Sequence, residues 1–309
     1  MKKLISVPLK ILKISGITVA ILIALLFLAP FLFPDTVSHQ IKAWTNKSIT
    51  GDLNFSRSRL SFFNHFPSLT LTLYDVDLKG SAPFDKDTLL SARKLGFGIN
   101  LQELIFNRAV HINKLYLTDA LMNVQVSEKG EANYNIYKSD TAAKKDTAAD
   151  HSAASLRLER IKISNCHLMY NDRSVRMLME AKHLNYEGSG DLSRSIFDLA
   201  SHIETDSFNF TFDKENYLAH KAIDADLITR VNTQTLALIF QKNDLKINQL
   251  ALQFSGRLDF LRNGYDMDFN LNSGQADLAQ FLTAFPPEYI DWLKKTTVNG
   301  RAGLSLSLK

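Results

Sequence analysis

The chain has 309 residues, with 36 Lys plus Arg against 32 Asp plus Glu and a formal charge of +4. Lys2, Lys3, Lys10 and Lys13, all ahead of the first apolar run, equal that whole excess, so the rest is electrically balanced and has no basic stripe interleaved with aromatics, which argues against binding to nucleic-acid phosphates. The lone cysteine, Cys166, excludes an intramolecular disulfide and reads as a small buried apolar residue, so stability must come from packed apolar surface.

Residues 1–35 read as a cytoplasmic tip and membrane anchor. From Ile14 to Phe33 the sequence is ISGITVAILIALLFLAPFLF, about twenty uncharged residues that at about 1.5 Å each match a hydrocarbon core of about 30 Å. The alternative is a cleavable signal, whose apolar region is usually about 7 to 15 residues long and ends in small side chains. Here the run ends in Phe31, Leu32, Phe33 and Pro34. With the lysines before it and Asp35 after it, the positive-inside rule keeps the N-terminus cytoplasmic and exports the body.

Residues 36–137 are expected to form a first β-rich unit. Thr36 to Thr45 spaces Val37, Ile41 and Trp44 at helical intervals, which suits a short amphipathic helix at the membrane surface. Beyond it the period becomes two. Leu69, Leu71 and Leu73 alternate with Thr70, Thr72 and Tyr74, and weaker alternation runs through Phe97, Ile99 and Leu101 and through Leu115 and Leu117. Residues 138–155 are expected to form a flexible linker or loop: KSDTAAKKDTAADHSAA, from Lys138 to Ala154, has no large apolar residue, and its alanines leave a brief solvated helix open.

Residues 156–309 are expected to form a second β-rich unit. Phe208, Phe210 and Phe212 alternate with Asn209, Thr211 and Asp213, and Tyr265, Met267, Phe269 and Leu271 alternate with Asp266, Asp268, Asn270 and Asn272. Such alternation marks antiparallel sheets whose two faces see different surroundings. Asp277 to Ala284 and Pro287 to Lys294 carry helix signals and are expected to cap a sheet edge or end. Lys309 falls within the alternating GLSLSLK, which reads as an unfinished strand of a longer protein, the alternative being a terminal edge strand.

Catalytic signatures are weak. No two of the eight histidines stand four apart, and HExxH is absent. Ser91 to Lys94 spells SxxK, but no KTG accompanies it and the strand-like LGFGIN follows. Gly96 and Gly98 lack the third glycine and following helix of a dinucleotide loop, so close backbone approach or a bulge explains them better. Asp75 with Asp77, and Asp266 with Asp268, are spaced by two along strands and are expected on the solvated outer face. No catalytic residue, metal ligand or cofactor is assigned.

Several stretches resemble the AsmA family of bacterial envelope proteins, especially its long forms of the Bacteroidetes type. They are FNHFPSLTLTLYDVDLKG at Phe63 to Gly80, the ARKLGFGINLQEL stretch beginning at Ala92 and continuing to Tyr137, LERIKISNCHLMYNDRS at Leu158 to Ser174, and Leu250 to Leu282. The resemblance implies an inner-membrane, single-pass protein with a periplasmic β-sheet curved into a groove, related in plan to bridge-like lipid-transfer proteins and tied to outer-membrane lipid homeostasis. The expected fold is therefore mainly β: an anchor helix, then a curved, largely antiparallel sheet, groove-like or closed as a sandwich, with a few short helices.

A sheet with one apolar face must cover it, and acyl chains can serve, at about 0.8 kcal/mol per buried methylene. The candidate lipid-facing residues are Leu69, Leu71, Leu73, Phe208, Phe210, Phe212, Met267, Phe269 and Leu271. The leading expectation is thus a non-enzymatic protein that shields or transfers phospholipid or another acyl lipid. The alternative is a scaffold with a closed core that binds another envelope protein through its sheet edges.

Overall fold

A computed structural model describes residues 42, 49–65, 68–100, 103, 111–136, 155–261, 264–291 and 296–309. The expected anchor, the surface helix apart from Lys42, and the Lys138 to Ala154 segment lie outside the described residues. Among the described residues no helix is long and apolar enough to cross a membrane.

The alternating stretches become thirteen strands of one sheet. They are β1 (Leu53–Asn54), β2 (Arg57–His65), β3 (Ser68–Lys79), β4 (Thr88–Ile99), β5 (His111–Val126), β6 (Ser155–Asp172) and β7 (Met177–Ser189). There follow β8 (Ile196–Phe212), β9 (Glu215–Asn232), β10 (Ala237–Ile247), β11 (Leu250–Leu261), β12 (Gly264–Asp277) and β13 (Arg301–Leu308). From β3 onward the strands lie side by side in chain order, with β1 and β2 both pairing β3. Pairing is antiparallel throughout except between β5 and β6, which run parallel. A parallel pair needs a long crossover, and the chain between Val126 and Ser155 supplies it.

Strand register gathers the apolar residues onto one face. Leu73, Leu95, Leu117, Ile163, Tyr186, Ile203, Ala225, Leu245 and Leu252 form one cross-strand rung from β3 to β11. Among the described residues no second sheet packs on this face, so a sheet-on-sheet sandwich is not how it is covered.

The strands do not stay straight, because bulges fall at the same level in neighbour after neighbour. Asp75, Asp119, Asn165 and His183, in β3, β5, β6 and β7, all have left-handed backbone with φ of 51°, 49°, 53° and 52°. Asp, Asn and His tolerate that region better than most residues. At each of these residues the alternation slips, so side chains three apart pack in one cluster: Leu73 with Val76, Leu117 with Ala120, Ile163 with Cys166, Ala181 with Leu184. Bulges bend and further twist a strand, so an aligned row creases the sheet. Inside the crease the rung Val76, Ala92, Ala120, Cys166 is made of small side chains, all buried, which is what a tight bend can hold. On the outside, side chains replace ladder bonds lost at the bulges. Asn185 Oδ1 accepts from the Asn165 N–H at 3.0 Å and Asn165 Nδ2 donates to Asp119 Oδ1 at 2.6 Å.

Two short helices, α1 (Leu278–Ala284) and α2 (Pro287–Ile290), separate β12 from β13. Asp277 precedes α1 and Pro287 opens α2, as expected; residues 292–295 are outside the described set. Rather than capping an edge, α1 lies on the apolar face, where Phe281 is buried with Leu250 and Leu252 and packs against Leu245, Leu271 and Leu304.

Candidate functional site: the apolar sheet face

All nine candidate residues lie on this one face, but in different surroundings. Leu69, Leu71 and Leu73 pair with Ile99, Phe97 and Leu95. Leu73, only 1% exposed, is closed off in a cluster with Leu53 and Phe55. Phe208 and Phe210 pair with Ala181 and Met179 and are half-buried, whereas Phe212 is 42% exposed. Met267, 40% exposed, pairs with Leu258, and Phe269 and Leu271 pair with Gly256 and Phe254. The β3 leucines therefore belong to a packed core, while the β8 and β12 residues remain accessible.

At the accessible end, three rings converge. Phe240 lies with its ring centroid 5.5 Å from Phe254 and 5.7 Å from Phe269, spacings typical of favourable tilted aromatic pairs. Gly256 makes room for them: a Cβ there would sit 2.6 Å from the Phe269 ring and 2.2 Å from the Asp268 carbonyl oxygen. Gly98 plays the same part on the other face, where a Cβ would meet that of Lys114 at 2.7 Å. Its expected reading as a close backbone approach thus matches the geometry.

Polar groups on the apolar face are few; alternation places Tyr265 there, but its contact with Asp172, like the inward turn of Lys221, was not legible in the sequence. The Tyr265 hydroxyl on β12 donates to Asp172 Oδ2 on β6 at 2.8 Å and lies 3.0 Å from the Tyr170 hydroxyl. In strand order β6 and β12 stand six spacings apart, about 29 Å at about 4.8 Å each on a flat sheet. Direct contact between them requires the intervening sheet to be rolled around its apolar side. Asp172 is 3% exposed. Burial pushes its carboxyl up, but hydrogen bonds from Ser174, from Tyr265 and from the Ser174 and Val175 N–H groups outweigh this and hold it below its ordinary value. Burial first, and then its bonds to Tyr170 and to the Asp172 carboxylate, push the Tyr265 hydroxyl well up.

The second missed group is Lys221 on β9, 5% exposed. His220 beside it has φ of 53°, and this bulge puts Leu218 and Lys221, three apart, on the same face, opposite Phe210 and Phe208. Its ammonium donates to the Thr283 and Phe285 carbonyls at 2.8 and 2.6 Å, completing the C-terminal end of α1. Burial pushes its pKa down, partly opposed by the charge of Glu288.

The other residues singled out in the sequence are outward or inert. Ser91 and Lys94 sit on strand β4, not on one helical turn. Asp266 and Asp268 pair with Asp259 and Arg257 on the polar face, and Asp75, now a bulge residue, accepts from Ser56 Oγ at 2.7 Å. His167, His183 and His202 each pair with one carboxylate, of Glu180, Asp206 and Asp226. Cys166 is fully buried, and burial pushes its thiol up to about 11. Among the described residues no group of three or more His, Cys, Asp or Glu could hold a metal ion.

No curated protein and no solved structure matches this chain. The family model described as "AsmA family" matches residues 8–295, most of the chain. With its continuous one-faced sheet in place, the chain belongs to the AsmA family.

Proposed function

We propose that this protein is a non-enzymatic, inner-membrane-anchored periplasmic protein whose apolar sheet face shields or transfers acyl lipid in support of outer-membrane lipid homeostasis. The observation that carries this reading is that the apolar face, which among the described residues no second sheet covers, leaves Phe212 and Met267 exposed and Phe208, Phe210 and Phe269 only half-buried. Water against such a face is unfavourable by about 25 cal/mol per Å² of apolar area, and acyl chains relieve this without any catalytic group. Family membership supports an envelope role, and the uncharged Ile14 to Phe33 run behind four lysines supports a single N-terminal span with the body exported.

The full chain, extracted in detergent from bacterial membranes, is expected to carry phospholipid by native mass spectrometry. A Phe210→Asp, Phe269→Asp variant that remains folded by circular dichroism is expected to lose it. Lipid-free wild-type protein would favour the scaffold alternative, in which sheet edges recruit another envelope protein.

A further inference from the structure

Among the described residues Asp172 and Lys221 are the only charged side chains that are buried. Their surroundings differ. The Asp172 carboxylate accepts hydrogen bonds from the Ser174 hydroxyl and N–H and from the Tyr265 hydroxyl. Lys221 has no carboxylate within 4.0 Å among the described residues; its nearest acceptors are the Thr283 and Phe285 carbonyls, and Glu288 acts only at longer range. An ammonium has three donors, so two carbonyls leave one over as well as the full positive charge. The Thr283 carbonyl already accepts from Asn248 Nδ2 at 2.7 Å, so α1 has a neutral cap independent of Lys221.

The place of this charge is specific. Lys221 ends the cross-strand rung Leu78, Leu90, Met122, Leu168, Ala181, Phe208. Acyl chains lying against Phe208 and Phe210 would bring their polar end within reach of a buried cation on which, among the described residues, Glu288 acts only at longer range. We propose that Lys221 is a headgroup site, pairing with the phosphodiester of a phospholipid and selecting net-anionic over zwitterionic lipid. A zwitterionic headgroup brings its own ammonium beside the one already there. An anionic one supplies the same phosphodiester charge without that second cation. This inference rests on the lipid-holding reading above.

The full chain in detergent, incubated with equimolar phosphatidylglycerol and phosphatidylethanolamine of identical acyl chains, is freed of unbound lipid and its bound lipids are quantified. Wild-type protein is expected to enrich phosphatidylglycerol about tenfold, the size of the repulsion between two ammonium groups a few ångströms apart at a partly screened site. Lys221→Arg keeps the enrichment, whereas Lys221→Gln binds as much total lipid with a ratio near unity. Bound lipid at a ratio of one in wild-type protein overturns the headgroup site, as does enrichment that survives Lys221→Gln. Should Lys221→Gln fail to fold, the wild-type ratio still decides. No bound lipid of either kind overturns the lipid-holding reading, and this inference with it.

Discussion

Single side chains decide where the apolar face is interrupted. Removing the Tyr265 hydroxyl leaves Asp172 buried with one donor fewer, an uncompensated group worth about 1–3 kcal/mol. Tyr265→Phe is therefore expected to lower the urea midpoint, while Tyr134→Phe, at an exposed residue, leaves it unchanged. The carboxyl of Asp172 also links stability to pH. Its folded value lies below the unfolded one, so its contribution is complete at neutral pH and is lost as pH falls through the carboxylate range below about 5. Midpoints measured from pH 7 down to pH 3 are expected to drop more steeply in wild-type protein than in Asp172→Asn. Equal slopes would remove Asp172 from the account.

At the scale of elements, the crease rather than any one strand sets the shape. Its inner rung of Ala92, Ala120 and Cys166 has no space for larger groups. Ala120→Leu is expected to destabilise by about 1–3 kcal/mol through overpacking, a change that thermal unfolding would register and that Leu121→Ala, on the opposite and exposed face, would not reproduce. Helix α1 depends on Phe281 for its seat against Leu250 and Leu252. Phe281→Ala is expected to cost about 3–5 kcal/mol and to raise amide exchange in 278–284 before the crease region. The period-two pattern that announced the strands broke where residues three apart, such as Leu117 and Ala120, both turned inward. A small polar residue between them, here Asp119, is the trace that a bulge leaves in the sequence.

For the whole molecule, the proposed anchor and the body make separate contributions. Removal of residues 2–35 is expected to release the protein from membranes that otherwise retain it at high salt, as follows from an uncharged span rather than a charged surface contact. Alternation alone determined the strands and, within each strand, the shared face of its candidate residues and the polar face opposite, because side-chain direction along a strand depends only on local geometry. The uncharged run and its flanking lysines likewise set the expectation of one span. Tertiary structure decided which of the nine are enclosed, since Leu73 is covered by Leu53 and Phe55 while Met267 is not. It also decided that β5 and β6 run parallel, that the sheet rolls until Tyr265 meets Asp172, and that Lys221 turns inward. Each of these depends on bulge placement and on contacts between residues distant in sequence, such as the 93 positions between Asp172 and Tyr265, and local periodicity carries no record of such distances.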